Sequence, residues 1–407
     1  MAGAPRLRET RTLTIGLWSL AAAYFMLATG SLAVVGLVQP MASAWHSSPA
    51  DVAMLVTVFA FTFALAAPLA QMLLGHWPRR RLIIAGLVLL AVGLAITAVA
   101  PDLTWGVLGR VLSGAGAAAV GPVASALGSD MVPPRRQPQA LATVFSGMAF
   151  ATVLGVPLTA WFGYLIGWRQ VFAALALGAL ACAIAIALGV RSRAAGSRVR
   201  FHDLHNAISR ASVTWGVITG FLQMAAGFAT YALVAVYLRE QYHAGPDAIS
   251  AALLLFGVGG IVGNLLASRL GSRYRPSTLI LMSLLGLLVS VVGLRALPPT
   301  LGSGIVTFGL WSVATMMFHT PQQGRLIGLA PLQRGLLLSL NSSTLYLGMS
   351  LGAYLSKLTY AWAGSAALPV TSAFLTLAAI CALVLSRRAE LAEAAPSTGT
   401  AAHASPP

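Results

Sequence analysis

The sequence predicts an all-α integral membrane protein: twelve transmembrane helices in two pseudo-symmetric six-helix bundles. Three observations carry this, namely the composition, the length of the apolar blocks and the sorting of the basic residues. Of 407 residues, 58% are hydrophobic and 8% are charged, with a mean hydropathy of +0.83. Soluble domains carry roughly a quarter of their residues as charged side chains, so this chain cannot dress a water-facing surface. The apolar residues come in blocks of about 20, the length that crosses a ~30 Å hydrocarbon core as an α-helix. Only helices and closed barrels satisfy their backbone groups in lipid, and these blocks do not alternate as barrel strands would.

In chain order the blocks fall at 12–38, 51–73, 82–100, 104–127, 140–164, 169–190, 212–238, 247–268, 277–296, 301–322, 334–360 and 366–386. The first is too long for the apolar region of a cleavable signal, so it reads as span 1. With both termini in the cytoplasm, twenty of the 25 basic residues fall in cytoplasmic segments. Arg169, Arg239, Arg295 and Lys357 fall on the other face, and Arg110 lies inside a span. A wrong helix count would scramble this parity, so the bias supports both the number of spans and the orientation. The formal charge of +16 would suggest nucleic acid in a soluble chain. Here it sits in short loops without interleaved aromatics, and no nucleic-acid partner is expected.

The longest polar interruption, 191–211, separates an N-terminal half (1–190) from a C-terminal half (212–388). It reads equally as a plain basic linker or as a surface helix with Phe201, Leu204 and Ile208 at helical spacing. Residues 389–407 have the Ser/Thr/Ala/Pro content of a disordered tail. The two cysteines, Cys182 and Cys381, sit in separate apolar runs and read as packing residues, with no metal or cofactor implied. The halves echo each other: QMLLGHWPRRR follows span 2 and NLLASRLGSR follows span 8. Proline-marked loops follow spans 4 and 10, at offsets from 193 (Arg80 to Arg273) to 197 (Pro134 to Pro331).

These loops carry a resemblance to the major facilitator superfamily over nearly the whole chain. The family's G-x-L-A-D-R-x-G-R-R loop is matched by Gln71–Arg80, with Gly75 in place of the aspartate and His76 in place of the arginine. Asn264–Arg273 in the second half is closer, with Ser268 at the acidic position. Arg110, Gly114 and Gly116 resemble the span 4 motif whose buried arginine the family associates with proton coupling. Val153–Leu158 with Gly167–Phe172 is similar to the drug:proton antiporter branch, especially its arabinose-efflux-like permeases. Span 11, with Ser339, Asn341, Ser343, Gly348 and Gly352, also resembles that group.

The resemblance implies a central site exposed to each side in turn by rocking of the halves. Gly155 and Pro157 would bend span 5 where a rim must open. Arg110 keeps its charge, lies about 10 Å from the outer end of span 4 at 1.5 Å per residue, and is expected to face a cavity or partner. It would hold an acid or a substrate anion; snorkelling to the interface is the alternative. None of the nine acids falls mid-span. Asp51 reads as part of a helix start with Ser48, or else as a partner of Arg110. Asp130 would face Arg79 or Arg80 and latch the inner gate when the cavity opens outward. Polar or aromatic residues near mid-depth, Tyr24, Thr152, Gln223, Tyr231, Trp311 and Asn341, are candidates to line a substrate site, each equally readable as packing. His319 reads as a gate or packing histidine.

The expected function is export of a small organic solute such as a drug, sugar, nucleoside or metabolite, in exchange for protons, by a monomer in a bacterial inner membrane. An uptake symporter or facilitator fits the same fold. A membrane sensor is the more remote alternative. No paired carboxylates, metal cluster or nucleophile–base set gathers at one depth, which argues against an enzyme.

Overall fold

A computed structural model describes residues 4–190, 209–330 and 334–394. The expected surface helix around Phe201, Leu204 and Ile208 falls largely outside the described residues. Eleven helical stretches are long and apolar enough to cross a membrane. The twelfth, Arg334–Ala363, is 30 residues long and carries Asn341, Ser342, Ser343 and Thr344 among its apolar residues.

Spans 1 to 4 are Ala4–Ala44, Pro49–Leu74, Arg79–Val99 and Leu103–Asp130. Span 5 runs Gln137–Phe150, a π-helical turn Ala151–Gly155, then Val156–Leu165, and span 6 is Trp168–Gly189. Span 7 comprises Ala211–Tyr231 and Val234–Tyr242; spans 8 and 9 are Pro246–Leu270 and Pro276–Ala296. Span 10 comprises Leu301–Met317 and His319–Leu329, and span 11 is Arg334–Ala363. Span 12, Leu368–Ala394, continues past the predicted start of the tail at 389. The extension has a physical cause: Glu390 meets Arg325 at 2.9 Å, and Glu393 takes Arg210 and both the N–H and hydroxyl of Ser212.

Local chemistry sets the helix starts. The Ser48 hydroxyl accepts the Asp51 N–H at 3.1 Å, so Asp51 does belong to a helix cap. Asp102 accepts the N–H groups of Thr104 and Trp105 and so opens span 4. Thr300 and Ser303 cap span 10 reciprocally. Proline breaks two spans: Pro157 follows the π-turn, and Pro321 lies four residues past Met317, where span 10 divides.

The duplication read from the loops recurs in the packing. A Cβ on Gly147 would strike the Ala21 carbonyl, and one on Gly348 would strike the Phe221 carbonyl. Those contacts join spans 5 and 1 in one half and spans 11 and 7 in the other, about 200 residues apart. Likewise the Trp45 indole donates to the Ala100 carbonyl at 3.1 Å, and the Tyr237 hydroxyl donates to that of Leu294 at 2.7 Å. Spans 3 and 4 also close to backbone contact at Gly93 and Gly109.

Gly348→Leu is expected to lower the melting temperature of the detergent-solubilised protein by several degrees. Overpacking of this kind costs about 1–3 kcal/mol, and thermal unfolding followed by size exclusion checks it.

Candidate functional site

The halves meet along a seam made by span 2 with span 11, span 5 with span 8, and span 1 with span 7. Lys357 forms an ion pair with Asp51 at 2.9 Å, and the Ser350 hydroxyl donates to the Thr57 carbonyl at 3.1 Å. Nearer the middle of these spans, the rings of Phe63 and Tyr346 stack with centroids 3.7 Å apart. Across spans 5 and 8, a Cβ on Gly257 would lie 2.6 Å from Val153 Cα, so only glycine lets these backbones touch. All these contacts lie between the middle of the spans and the ends that carry Asp51 and Lys357. Gly257 against Thr152 and Val153 mirrors Thr57 against Ser350, a second expression of the pseudo-two-fold.

Asp51 and Lys357 side chains are 41% and 26% exposed, so their pair contributes at most about 1 kcal/mol. This pairing corrects the alternative in which Asp51 joins Arg110. Lys357 was missed as a partner: in the sequence it is one outer-face charge, and nothing local ties it to a residue 306 positions earlier.

Arg110 is fully buried and meets no carboxylate. Its guanidinium donates to the carbonyls of Gly30 (2.8 Å), Ser31 (2.6 Å) and Leu55 (3.2 Å), and lies over the Phe59 ring at 4.5 Å. Snorkelling is excluded by this geometry. A helical carbonyl has a second lone pair beyond its intrahelical bond, and in low dielectric a charge–dipole bond is strong. Arg110 therefore clamps spans 1, 2 and 4 into one body. The expectation that it holds an acid is not met in this conformation.

At the opposite rim of the bundle Arg79 pairs with Asp130, while Arg80 donates to the Ala187 carbonyl at the end of span 6. Both contacts lie within the N-terminal half. The Arg79–Asp130 pair is formed in the same structure in which the halves are joined at the opposite ends of the spans. In the C-terminal half the corresponding rim is tied differently, by the buried Arg325 to Ser386 and Glu390 and by Arg210 to Glu393 and the Leu329 carbonyl. Gly155 and Pro157 are buried where span 5 leaves the π-turn, and the Val156 N–H reaches back to the Ala151 carbonyl. The widened turn accommodates the proline, whose ring would otherwise crowd the carbonyl of Val153. Gly155 rests on Thr29 of span 1.

The six candidate lining residues do not form one cluster. Tyr24 is half-buried in the N-terminal half, 5.5 Å from the Phe145 ring. Thr152 sits at the seam, its hydroxyl turned to the Ala149 carbonyl. Gln223, Tyr231, Trp311 and Asn341 are all buried in the C-terminal half. There Trp311 packs with Tyr231, Phe256 and Phe308. Gln322 and Thr315 of span 10 are also buried in that half, and Gln322 approaches Asn341 across Gly220 of span 7; both were missed, because a glutamine or threonine in an apolar run carries no mark of its neighbours. His319 lies against Phe318 edge-on at 5.9 Å.

Arg110→Lys is expected to lower the melting temperature by several degrees. An ammonium cannot span three carbonyls on two helices, and bonds to charged groups contribute about 1.5–3 kcal/mol. An unchanged melting temperature with lost transport would instead make Arg110 a transport residue.

The Major Facilitator Superfamily profile matches this chain at residues 20–331 and 216–406. The inner membrane transport protein YdhP of Escherichia coli is 30% identical over 337 residues, 83% of this chain and 86% of that protein. A "probable sugar efflux transporter" of Haemophilus influenzae is 26% identical over 361 residues, 88% and 90% of the two chains. Among solved structures, a D-xylose–proton symporter superposes with a TM-score of 0.73 at 13% identity, covering 90% of this chain and 96% of that one. A bacterial homologue of the human lysosomal transporter Spinster, inward-facing and unoccupied, gives 0.70 at 16% identity, covering 93% and 95%. Those two likenesses speak for the fold. With the profile and the 30% identical relative, they place this chain in the major facilitator superfamily, as a multi-pass membrane transporter.

Proposed function

We propose that the protein exports a small organic solute across the bacterial inner membrane by alternating access, in exchange for protons. The observation that carries this reading is the one-sided seam. Named contacts join the halves from mid-membrane to the outer ends, through Asp51–Lys357, Thr57–Ser350, Phe63–Tyr346 and Gly257. This is how a transporter closed to the outside and waiting for cytoplasmic solute should look. The likeness to an inward-facing homologue and to an efflux relative supports the same state and direction.

Asp51 is the acid on the seam that water can reach, and protonating it would remove its attraction for Lys357. Arg79, Arg80 and Asp130 then serve as the inner rim, and the π-turn at Gly155 and Pro157 as the bend in span 5. Candidate substrate contacts remain Tyr24, Thr152, Gln223, Tyr231, Trp311 and Asn341, with Arg110 assigned to holding spans 1, 2 and 4 together. A proton-independent facilitator is the second reading. It is favoured by the placement of the described acids, which are held at the rims rather than in the interior.

Inside-out vesicles with a proton-sensitive dye and a compound panel test the proposal. Solute-dependent proton movement supports antiport, and solute flux indifferent to the gradient supports the facilitator. The seam has its own test, in a background with Cys182 and Cys381 replaced by alanine. Lys357→Asp should raise labelling of a cysteine at Thr57 by an outside-added impermeant thiol reagent severalfold, and slow transport. Adding Asp51→Lys should restore both. Equal labelling in all variants would reduce the pair to a surface contact.

A further inference from the structure

At the end of the bundle that carries Asp51 and Lys357, the two arms of the seam are copies of each other. His46 and His243 stand 197 residues apart, just past the ends of spans 1 and 7, and both are left-handed with φ of 51°. Asp51 and Asp247 lie in the first turns of spans 2 and 8, 196 apart. Tyr164 and Tyr360, near the ends of spans 5 and 11, are also 196 apart. These offsets match those of the duplicated loops.

The copies differ in how their charge is met. Along spans 2 and 11 the protein supplies both partners: Asp51 pairs with Lys357 at 2.9 Å, and the Tyr360 hydroxyl donates to Glu240 at 2.6 Å. Along spans 5 and 8 the position matching Lys357 is Trp161, and the cation is Arg239 at the end of span 7. Arg239 takes part in none of the ion pairs among the described residues, and neither its guanidinium nor the Tyr164 hydroxyl has a hydrogen-bond partner there.

Instead Arg239, His243 and Tyr164 line one cavity of about 490 Å³, together with the buried Ile249 of span 8. The Tyr164 hydroxyl lies in the field of Arg239. One turn deeper the halves are in contact, since a Cβ on Gly36 of span 1 would meet both Ala160 of span 5 and Leu253 of span 8. Asp247 is exposed and does not line the cavity, and Glu240 is turned to Tyr360 and Ser365. The wall therefore offers a fixed cation, an imidazole and a phenol hydroxyl, and no carboxylate.

Those groups define the ligand. A guanidinium matches phosphate as a planar fork, and an imidazole N–H and a phenol O–H each add one donor. The volume falls within the roughly 300–1,000 Å³ of small-ligand pockets, which leaves room for the group esterified to the phosphate. Trp161, Leu165 and Ile166 flank Tyr164 on span 5 and are exposed, so an acyl chain would find an apolar surface beside the cavity.

We propose that this cavity binds a phosphate group, carried by a lipid headgroup or free in solution as phosphate or a phosphate ester. The bound phosphate closes the span 5–8 arm of the seam, as Asp51 and Lys357 close the span 2–11 arm. Tyr164 belongs to the N-terminal half, whereas Arg239 and His243 belong to the C-terminal half. When the halves part at this end the donors separate, so occupancy favours the joined conformation. Only this link to the seam rests on the alternating-access reading; the binding site does not.

The test is binding to the purified, detergent-solubilised full-length protein, read by thermal shift and native mass spectrometry. The probes are inorganic phosphate, glycerol phosphate, and short-chain phosphatidylglycerol and phosphatidylcholine. Binding of either soluble probe supports the proposal with a soluble source, and binding of phosphatidylglycerol alone supports it with a lipid source. Arg239→Gln should weaken the bound anionic probe about tenfold, a difference of 1.4 kcal/mol, and Tyr164→Phe should weaken it severalfold. Arg295→Gln makes the same charge change at the same end of the bundle and should leave binding unchanged. No binding of any anionic probe, or phosphatidylcholine binding as tightly as phosphatidylglycerol, would overturn the site. So would equal losses in Arg239→Gln and Arg295→Gln, the mark of general attraction to a basic rim. A bound probe should also lower labelling of the cysteine at Thr57 severalfold in the parent but not in Arg239→Gln, and unchanged labelling would overturn the link to the seam. Failure of the export reading would appear separately, as inward or absent flux in vesicles with phosphate binding intact.

Discussion

The structure is governed by the free energy of placing charge in hydrocarbon. A charged group at the bilayer centre costs at least about 2.5–3.5 kcal/mol even on the most lenient scale, so this chain keeps its charges at the rims. The exception is Arg110, and the way it is accommodated shapes the N-terminal half. Three carbonyls and the face of Phe59 surround its guanidinium. Spans 1, 2 and 4 must keep their mutual register or leave a buried charge unanswered, which is the costly outcome. One arginine thus converts three helices into a single body. The C-terminal half achieves the same end at its inner rim, where Arg325 and Arg210 draw the start of span 7 and the ends of spans 10 and 12 together.

Duplication explains why the seam has the form it does. With two copies of a six-helix unit facing each other, a contact made by span 2 on span 11 implies one made by span 8 on span 5. Thr57 with Ser350 and Gly257 with Thr152 are that pair. The copies have since diverged in side-chain chemistry: Lys357 and Asp51 give one arm of the seam an ion pair, and glycine gives the other a bare backbone contact. The inner rims diverged too. Arg79 and Asp130 serve one half, and a network reaching into the extended span 12 serves the other.

Much of this was legible because it follows from local chemistry. Apolar length and basic-residue parity gave the spans; Ser48 and Asp51 marked a helix start; Gly155 and Pro157 marked the bend in span 5. What escaped was everything that depends on a partner far along the chain. Arg110 reads as an intramembrane charge facing a cavity or a partner, yet its partners are backbone carbonyls, and every residue has one. The break in span 7 near Leu233 has no glycine or proline beside it, so no local signal announces it. The helix beyond Arg388 was hidden for a related reason: the short stretch 389–394 was counted with the Ser/Thr/Ala/Pro-rich residues after it, and nothing local shows that Arg325, Arg210 and Ser212 meet it. The approach of Gln322 and Asn341 to Gly220 of span 7 likewise needs three dimensions, since single polar residues in apolar runs carry no mark of their neighbours.

The contrast in strength between the seam and the halves bears on how such a molecule can move. Inside each half, helices touch through backbone at glycine and are clamped by buried charge–dipole bonds, arrangements that resist gradual deformation. The seam is made of weaker elements: a partly exposed ion pair, a single hydroxyl–carbonyl bond, one ring stack and one glycine contact. For a two-state protein to visit both conformations, their free energies must lie within a few kcal/mol, and a seam as firm as the interior of a half would forbid that. Water at the ends of the spans stabilises Asp51 and Lys357 when they part, and the Phe63–Tyr346 stack lies near the middle of its spans, where rocking of the halves about an axis across the bundle displaces atoms least. Stiff halves joined by a soft, water-reachable seam are therefore the mechanical condition for alternating access, and in this chain the stiffness comes from the very charge burial that the seam avoids.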